Sequence, residues 1–227
     1  MARAPRLALA LGLLLLAATA SSRAQAGEDD AVASAAAASP GLRQVMAGFA
    51  ASGGVRAHFR ETKQLALLDA PLETEGVVVF SPPDRLARHT TRPGSSAIVV
   101  RGGRVALHDE TGHQVMELDA DDPARHFVDN LSVLLRGDLE ALIARYRVGF
   151  QSSEAGWQLE LEPRSKVLRQ LIESIRAEGR GAALLRMQVL EANGDSTVTV
   201  YSDVETGLEF DAAETERIFS LEDPAAP

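Results

Sequence analysis

The sequence predicts an α+β fold that is mainly β: a strongly curved antiparallel sheet of about ten strands, covered by short α-helices. Three observations predict it. Apolar residues alternate with polar ones along most of the chain after position 55. Turn signals at Gly102-Gly103, Thr111-Gly112 and Asn193-Gly194 join neighbouring runs through links too short for a crossover helix. Helical periodicity is confined to a few short stretches, and a sheet of ten or so strands is near the size at which it curls or closes.

Taken in order, residues 1–26 read as a secretory signal. Arg3 and Arg6 supply the charged start, 7–18 the apolar run, and Ala24-Gln25-Ala26 a small-residue cleavage site before polar Gly27-Glu28-Asp29-Asp30. A second possible cut follows Ala18-Thr19-Ala20. The apolar run is too short to span a bilayer, and without cysteine there is no acylation site. The expectation is one unanchored domain over 27–227, in the periplasm of a Gram-negative cell.

An Ala-rich lead-in, 31–38, precedes Ser39-Pro40, a good N-cap and N1 pair. Leu42, Val45, Met46 and Phe49 then form one helical stripe that ends near Ser52-Gly53-Gly54. From there the period is two. Val55, Ala57 and Phe59 alternate with Arg56, His58 and Arg60; Gly76, Val78 and Phe80 alternate with Val77 and Val79; Leu86 follows the break Pro82-Pro83-Asp84. Runs 97–101 and 104–108 flank the Gly102-Gly103 turn, and 114–118 follows, giving a meander of about six strands.

Asp121-Asp122-Pro123 opens a helix with Phe127, Leu131, Leu134 and Leu135 on one face and Gly137 at its end. Asp138 caps a second, carrying Leu139, Leu142, Ile143 and Tyr146. Strands resume at 147–151, 157–162, about 171–177, 184–191 and 196–202, with a short helix over 164–170. Leu171, Ile172 and Ile175 also suit a helix; strand is the reading adopted. No linker or fixed-period repeat divides the chain, so one domain is expected.

Composition narrows the function. With 227 residues and 45% hydrophobic content the chain can bury a large core, yet aromatics are only 4%, which disfavours stacking platforms for bases or sugars. The formal charge is -9, and loss of Arg3, Arg6 and Arg23 with the signal leaves 20 basic against 32 acidic groups, or -12. Such a surface repels phosphate backbones and anionic headgroups, so no nucleic-acid partner and no bare adhesion to membranes are expected. His108 and His113, with Asp109 or Glu110, have a spacing that suits a metal, but a polar hairpin is normally solvated. The acidic run Glu117, Asp119, Asp121 and Asp122 lacks the glycine and terminal Glu of a calcium loop. No serine sits in a nucleophile elbow, and neither Gly102-Gly103 nor 179–181 makes a phosphate cradle. No catalytic residue, metal or cofactor is therefore expected.

Basic residues gather around the third strand: Arg85, Arg88, His89 and Arg92. Alternation puts Leu86, Arg88 and Thr90 on one face. Arg88 has two readings, a contact for an anionic headgroup at a cavity mouth or a solvated or salt-bridged strand residue.

The run Val55-Arg56-Ala57-His58-Phe59-Arg60-Glu61-Thr62-Lys63 is followed by 72–76, Val77-Val78-Val79-Phe80, Pro83-Asp84, Pro93, the Gly102-Gly103 hairpin and Gly194-Asp195-Ser196-Thr197-Val198-Thr199-Val200-Tyr201. In order and spacing this resembles the periplasmic outer-membrane lipoprotein carriers, the LolA-like family, over about the whole mature chain. The resemblance implies an incomplete antiparallel β-barrel closed by helices around an apolar cavity for the acyl chains of a lipoprotein. It also implies loading from an inner-membrane ABC transporter and release to an outer-membrane acceptor. In the family a basic residue precedes the Pro-Asn or Pro-Asp break, where this chain has Pro82, and Arg88 replaces the aromatic of the third strand. These departures mark a divergent branch whose cargo is a lipoprotein or another lipid.

Acyl chains gain about 0.8 kcal/mol per buried CH₂, so their passage through water needs an apolar container. The expected lining is Phe59, Val78, Phe80, Leu86, Val100, Met116, Phe127, Leu131 and Leu134, with Arg88 as the headgroup contact. The expectation is thus a monomeric, non-enzymatic carrier. The alternatives are a periplasmic lipid-sensing or protein-interaction domain of similar fold and, further off, an acyl-ester hydrolase.

Overall fold

The structure, a computed structural model, describes residues 39–117 and 132–222. The expected signal, the Ala-rich lead-in, the helix opening at Asp121-Asp122-Pro123, and Phe127 and Leu131 lie outside the described residues. Ser39 caps helix α1 (Pro40–Ala51) by accepting a hydrogen bond from the Leu42 amide, and Pro40 occupies the first turn, where its missing N–H costs nothing. Six strands follow: β1 (Gly54–Gln64), β2 (Leu72–Ser81), β3 (Arg85–Arg92), β4 (Ser96–Arg101), β5 (Arg104–Asp109) and β6 (Gly112–Glu117). Between β4 and β5, Gly102 and Gly103 have φ of 60° and 77°, the left-handed pair that a two-residue hairpin turn requires.

Residues 132–135 are helical and lead through Gly137 to α2 (Leu139–Arg145), whose N-cap Asp138 accepts from the Ala141 amide. Gly137 has φ 68°, and a Cβ there would overlap the Met46 carbonyl and Ala50 of α1. It is therefore both a helix stop and a point of close backbone approach. The second set of strands is β7 (Tyr146–Ser153), β8 (Gly156–Pro163), β9 (Ile172–Arg180), β10 (Ala183–Glu191) and β11 (Ser196–Leu208), with α3 (Lys166–Arg169) after β8 and α4 (Ala212–Ile218) last. Strand wins over helix at β9 because it is paired on both sides, with β8 and β10, and Ile175, Ala177 and Gly179 alternate onto the buried side.

Two of the differences from the sequence reading have a visible physical cause. Tyr146 opens β7 instead of closing α2: its backbone is extended, and its ring packs into the core from the strand. β11 runs on to Leu208, because a register shift against β1 near Arg56 and His58, beside Asp203 at φ 50°, bends the strand without ending its pairing.

The described strands make one antiparallel sheet in the order β6-β5-β4-β3-β2-β1-β11-β10-β9-β8-β7. It is two meanders joined where the first strand pairs with the last, and β6 and β7 stand at its opposite ends, so the sheet is not closed. This is an incomplete antiparallel barrel with short helices laid on it, the predicted fold class.

Each face of the sheet carries its own packing. On one, Leu42, Met46 and Phe49 of α1 join Val133, Leu134 and Leu142 over Val148, Leu159, Leu161, Ile175, Ala177, Met187 and Val189 of β7 to β10. Phe49 meets Trp157 edge-on at 5.8 Å, and the indole N–H is satisfied by the Gly181 carbonyl. On the other face Ile218, Phe219 and Leu221 cover Val79, Ala87, Val99 and Ala106 of β2 to β5. A capping box between Asp211 and Glu214 starts α4, and Arg101 holds Glu216 at 2.8 Å.

Candidate functional site

In an antiparallel sheet, residues directly opposite each other share a face. Phe80 pairs with Leu86, Leu86 with Val100, Val100 with Val105, and Val105 with Met116, so a single apolar row crosses β2 to β6. A second row runs beside it: Ala57, Val78, Arg88, Ile98, Leu107 and Gln114. Following the pairings the other way, Phe59 opposes Tyr201, Thr199 opposes Met187, and Met187 opposes Ala177. Both rows therefore lie on the face that α1 covers at its β7–β10 end.

That face has two unlike halves. The β7–β10 half is filled by α1 and its partners. On the β2–β6 half Val100 and Val105 form a separate small cluster with Leu86, Ile98 and Leu107. Of the residues expected to line a cavity, the register brings Phe59, Val78, Phe80, Leu86, Val100 and Met116 onto this face. Leu134 sits apart from them, 2% exposed, among the side chains packed against α1. Phe127 and Leu131 lie outside the described residues.

Between the halves lies a polar cluster. Glu61 of β1 stands opposite Thr74 on one side and Thr199 on the other. Arg88 reaches across from β3, where its Nη2 forms an ion pair with Glu61 Oε1 at 3.0 Å and donates to Thr74 Oγ1 at 3.3 Å. Thr199 donates to Glu61 Oε2 at 3.2 Å. The guanidinium lies 4.1 Å from the centre of the Phe59 ring, a cation–π contact on a nearly buried aromatic. Gly76, opposite Phe59, has no side chain to obstruct this crossing. Tyr201, beside Phe59, has its hydroxyl pKa pushed up to about 12, chiefly by burial, with Arg88 pulling it down and Glu61 pushing it up. One strand step further, Lys63 and Glu191 pair at 2.9 Å.

Arg88 is thus salt-bridged, as one of its two readings held. Its apparent basic cluster dissolves: His89 faces the opposite side of the sheet, Arg92 pairs with Glu75 at 2.8 Å, and Arg85 bonds the Pro82 carbonyl. Glu61, Thr74, Thr199 and Tyr201 were missed by sequence reasoning. Alternation from Phe59 does put Glu61 on the apolar face, and a carboxylate in that place needs a cation. Its partner could not be named without the register. His108 and His113 stack with ring centres 4.7 Å apart, and His113 Nε2 lies 3.2 Å from the Leu221 carbonyl, so this pair belongs to the seat of the C-terminal segment.

A family model described as outer membrane lipoprotein carrier protein LolA-like matches residues 33–221. An outer-membrane lipoprotein carrier protein of Azotobacter vinelandii is 25% identical over 142 residues, which is 63% of this chain and 66% of that protein, just under two thirds of its length. Among solved structures, a LolA superfamily protein from Nitrosomonas europaea aligns at 13% identity over 78% of this chain and 96% of its own, with a TM-score of 0.42. The Mycobacterium tuberculosis lipoprotein LppX aligns at 10% identity over 76% and 99%, with a TM-score of 0.40.

Proposed function

Because the chain belongs to the LolA-like family of outer membrane lipoprotein carrier proteins, we propose that it is a non-enzymatic carrier, exported to the periplasm as residues 27–227. In this reading it holds the acyl chains of a lipoprotein or another lipid and passes them towards the outer membrane. The observation that carries the reading is the unbroken row Phe80, Leu86, Val100, Val105 and Met116, which lies on the helix-bearing face yet outside the core that α1 fills. Phe59 and Val78 extend that surface towards β1.

Aliphatic walls suit flexible chains. A row five residues wide spans four strand spacings of about 4.8 Å, or about 19 Å, comparable to an extended sixteen-carbon chain. At about 0.8 kcal/mol per CH₂, partial cover of one such chain supplies micromolar binding and still permits release. The donor is an inner-membrane transporter and the acceptor an outer-membrane protein, while the acidic surface of the monomer limits unspecific adhesion to anionic bilayers. Among the described residues no helix is long and apolar enough to cross a membrane.

Native mass spectrometry of the protein purified from periplasm tests the proposal. Adducts of acylated lipid or lipoprotein, lost in Val100→Asp, are expected. Repeated recovery of apolar-ligand-free protein that also fails to take up an uncharged fluorescent probe would overturn it.

A further inference from the structure

Resting on the carrier reading, we propose that the cargo is an acidic amphiphile, and that its carboxylate or phosphate docks on Arg88 by taking the place of Glu61. The ion pair to Glu61 and the hydrogen bond to Thr74 both use Nη2 of Arg88, and Nη1 and Nε donate to no described residue. The Arg88 side chain keeps about a quarter of its surface exposed. Its flat face is fixed on Phe59, which leaves the edge to do the recognition. The neighbouring cation, Lys63, is already tied to Glu191 with both side chains largely buried. Arg88 is therefore the guanidinium with unused donors beside the apolar row.

The site already holds a carboxylate, its own. Glu61 has the Arg88 guanidinium against one oxygen and accepts a hydrogen bond from Thr199 on the other, which is how a bound acid group would be received. A buried cation without a counter-ion is costly, so an empty carrier needs an internal anion on Arg88. When cargo enters, its acid group can take the same donors while its tail lies along Leu86, Val100 and Met116. Glu61 and the cargo then compete for one cation. Binding is weakened enough for unloading, and an amphiphile without a negative charge gains nothing from Arg88.

The competition gives a test with a direction that a merely structural pair does not share. The protein is loaded with the uncharged probe N-phenyl-1-naphthylamine. It is then titrated, below their aggregation limits and at 0.15 M salt, with oleate, oleoyl lysophosphatidate or oleyl alcohol, which share one tail. Oleate or the lysophosphatidate is expected to displace the probe at least about fivefold more effectively than the alcohol, in keeping with a charge-assisted hydrogen bond, and the better of the two identifies the acid. Glu61→Gln should tighten acid binding by a further factor of about five and leave the alcohol unchanged. Loss of both charges in Glu61→Gln/Arg88→Met, which leaves the net charge unchanged, should make acid and alcohol equal, with the thermal midpoint reporting that the double variant folds. Equal displacement by acid and alcohol in the native protein, or weaker acid binding in Glu61→Gln, overturns the inference and leaves the carrier reading standing. Failure of both the probe and the alcohol to bind overturns the two together.

Discussion

Truncating one side chain on each half of the helix-bearing face should separate a packed core from a binding surface. Met46 of α1 is 1% exposed and embedded in the β7–β10 half. Met46→Ala leaves a cavity that costs about 3 kcal/mol, which for a domain of this size lowers the thermal midpoint by about 6–12 °C. Leu86 is half-buried on the β2–β6 half, opposite Phe80 and Val100. Leu86→Ala removes three carbons, worth about 2.4 kcal/mol when fully covered. If cargo supplies half of that cover, the folded protein loses only about 1.2 kcal/mol of stability, and affinity for an eighteen-carbon chain falls by a similar amount, about eightfold. Calorimetry and probe displacement on both variants check this. A Leu86→Ala protein that loses 3 kcal/mol of stability and binds a chain as well as before would refute the division and make the row ordinary core.

Three further outcomes follow from the geometry. Gly137→Ala places a Cβ against the Met46 carbonyl in a left-handed backbone; handedness alone costs about 1–2 kcal/mol, so urea denaturation should show at least that loss, and an unchanged midpoint would contradict the close approach. His89 is buried and its pKa is lowered from 6.5, first by desolvation and then by the charge of His108. The unfolded chain therefore takes up a proton that the folded one refuses, and stability, full above 6.5, should fall as pH drops below it; His89→Gln should flatten that slope in pH-dependent unfolding curves. The chain has two tyrosines, and burial raises the pKa of each, Tyr201 to about 12 and Tyr146 further, so ultraviolet titration should show no phenolate near pH 10 until the protein unfolds.

The strands and most helix ends were legible because they depend on local pattern: alternation from Val55, the paired glycines at 102 and 103, and the caps at Ser39 and Asp138. Tyr146 was misplaced because a helical stripe and a strand start can share the same residue, and only pairing with Pro163 on β8 decides between them. The site was legible by half. Alternation fixes the parity of Val78, Phe80 and Leu86 but not which residues stand opposite them, so the continuity of the row from Phe80 to Met116 and the meeting of Arg88 with Glu61 had to wait for register. Leu134 illustrates the other limit. Helical periodicity shows that it is buried, but it does not say which of two neighbouring clusters receives it.

The seam between β1 and β11 has a kinetic consequence. Each meander can zip from its own hairpins, but the two become one sheet only when Phe59 finds Tyr201, more than a hundred residues away. Loop closure of that length makes the joining step slow relative to hairpin formation, and no shorter contact substitutes for it. A nascent chain without its last strand cannot bring Thr199 to Glu61, so the polar cluster is assembled last. The two meanders thus stay separate until the C-terminal strand is available to join them.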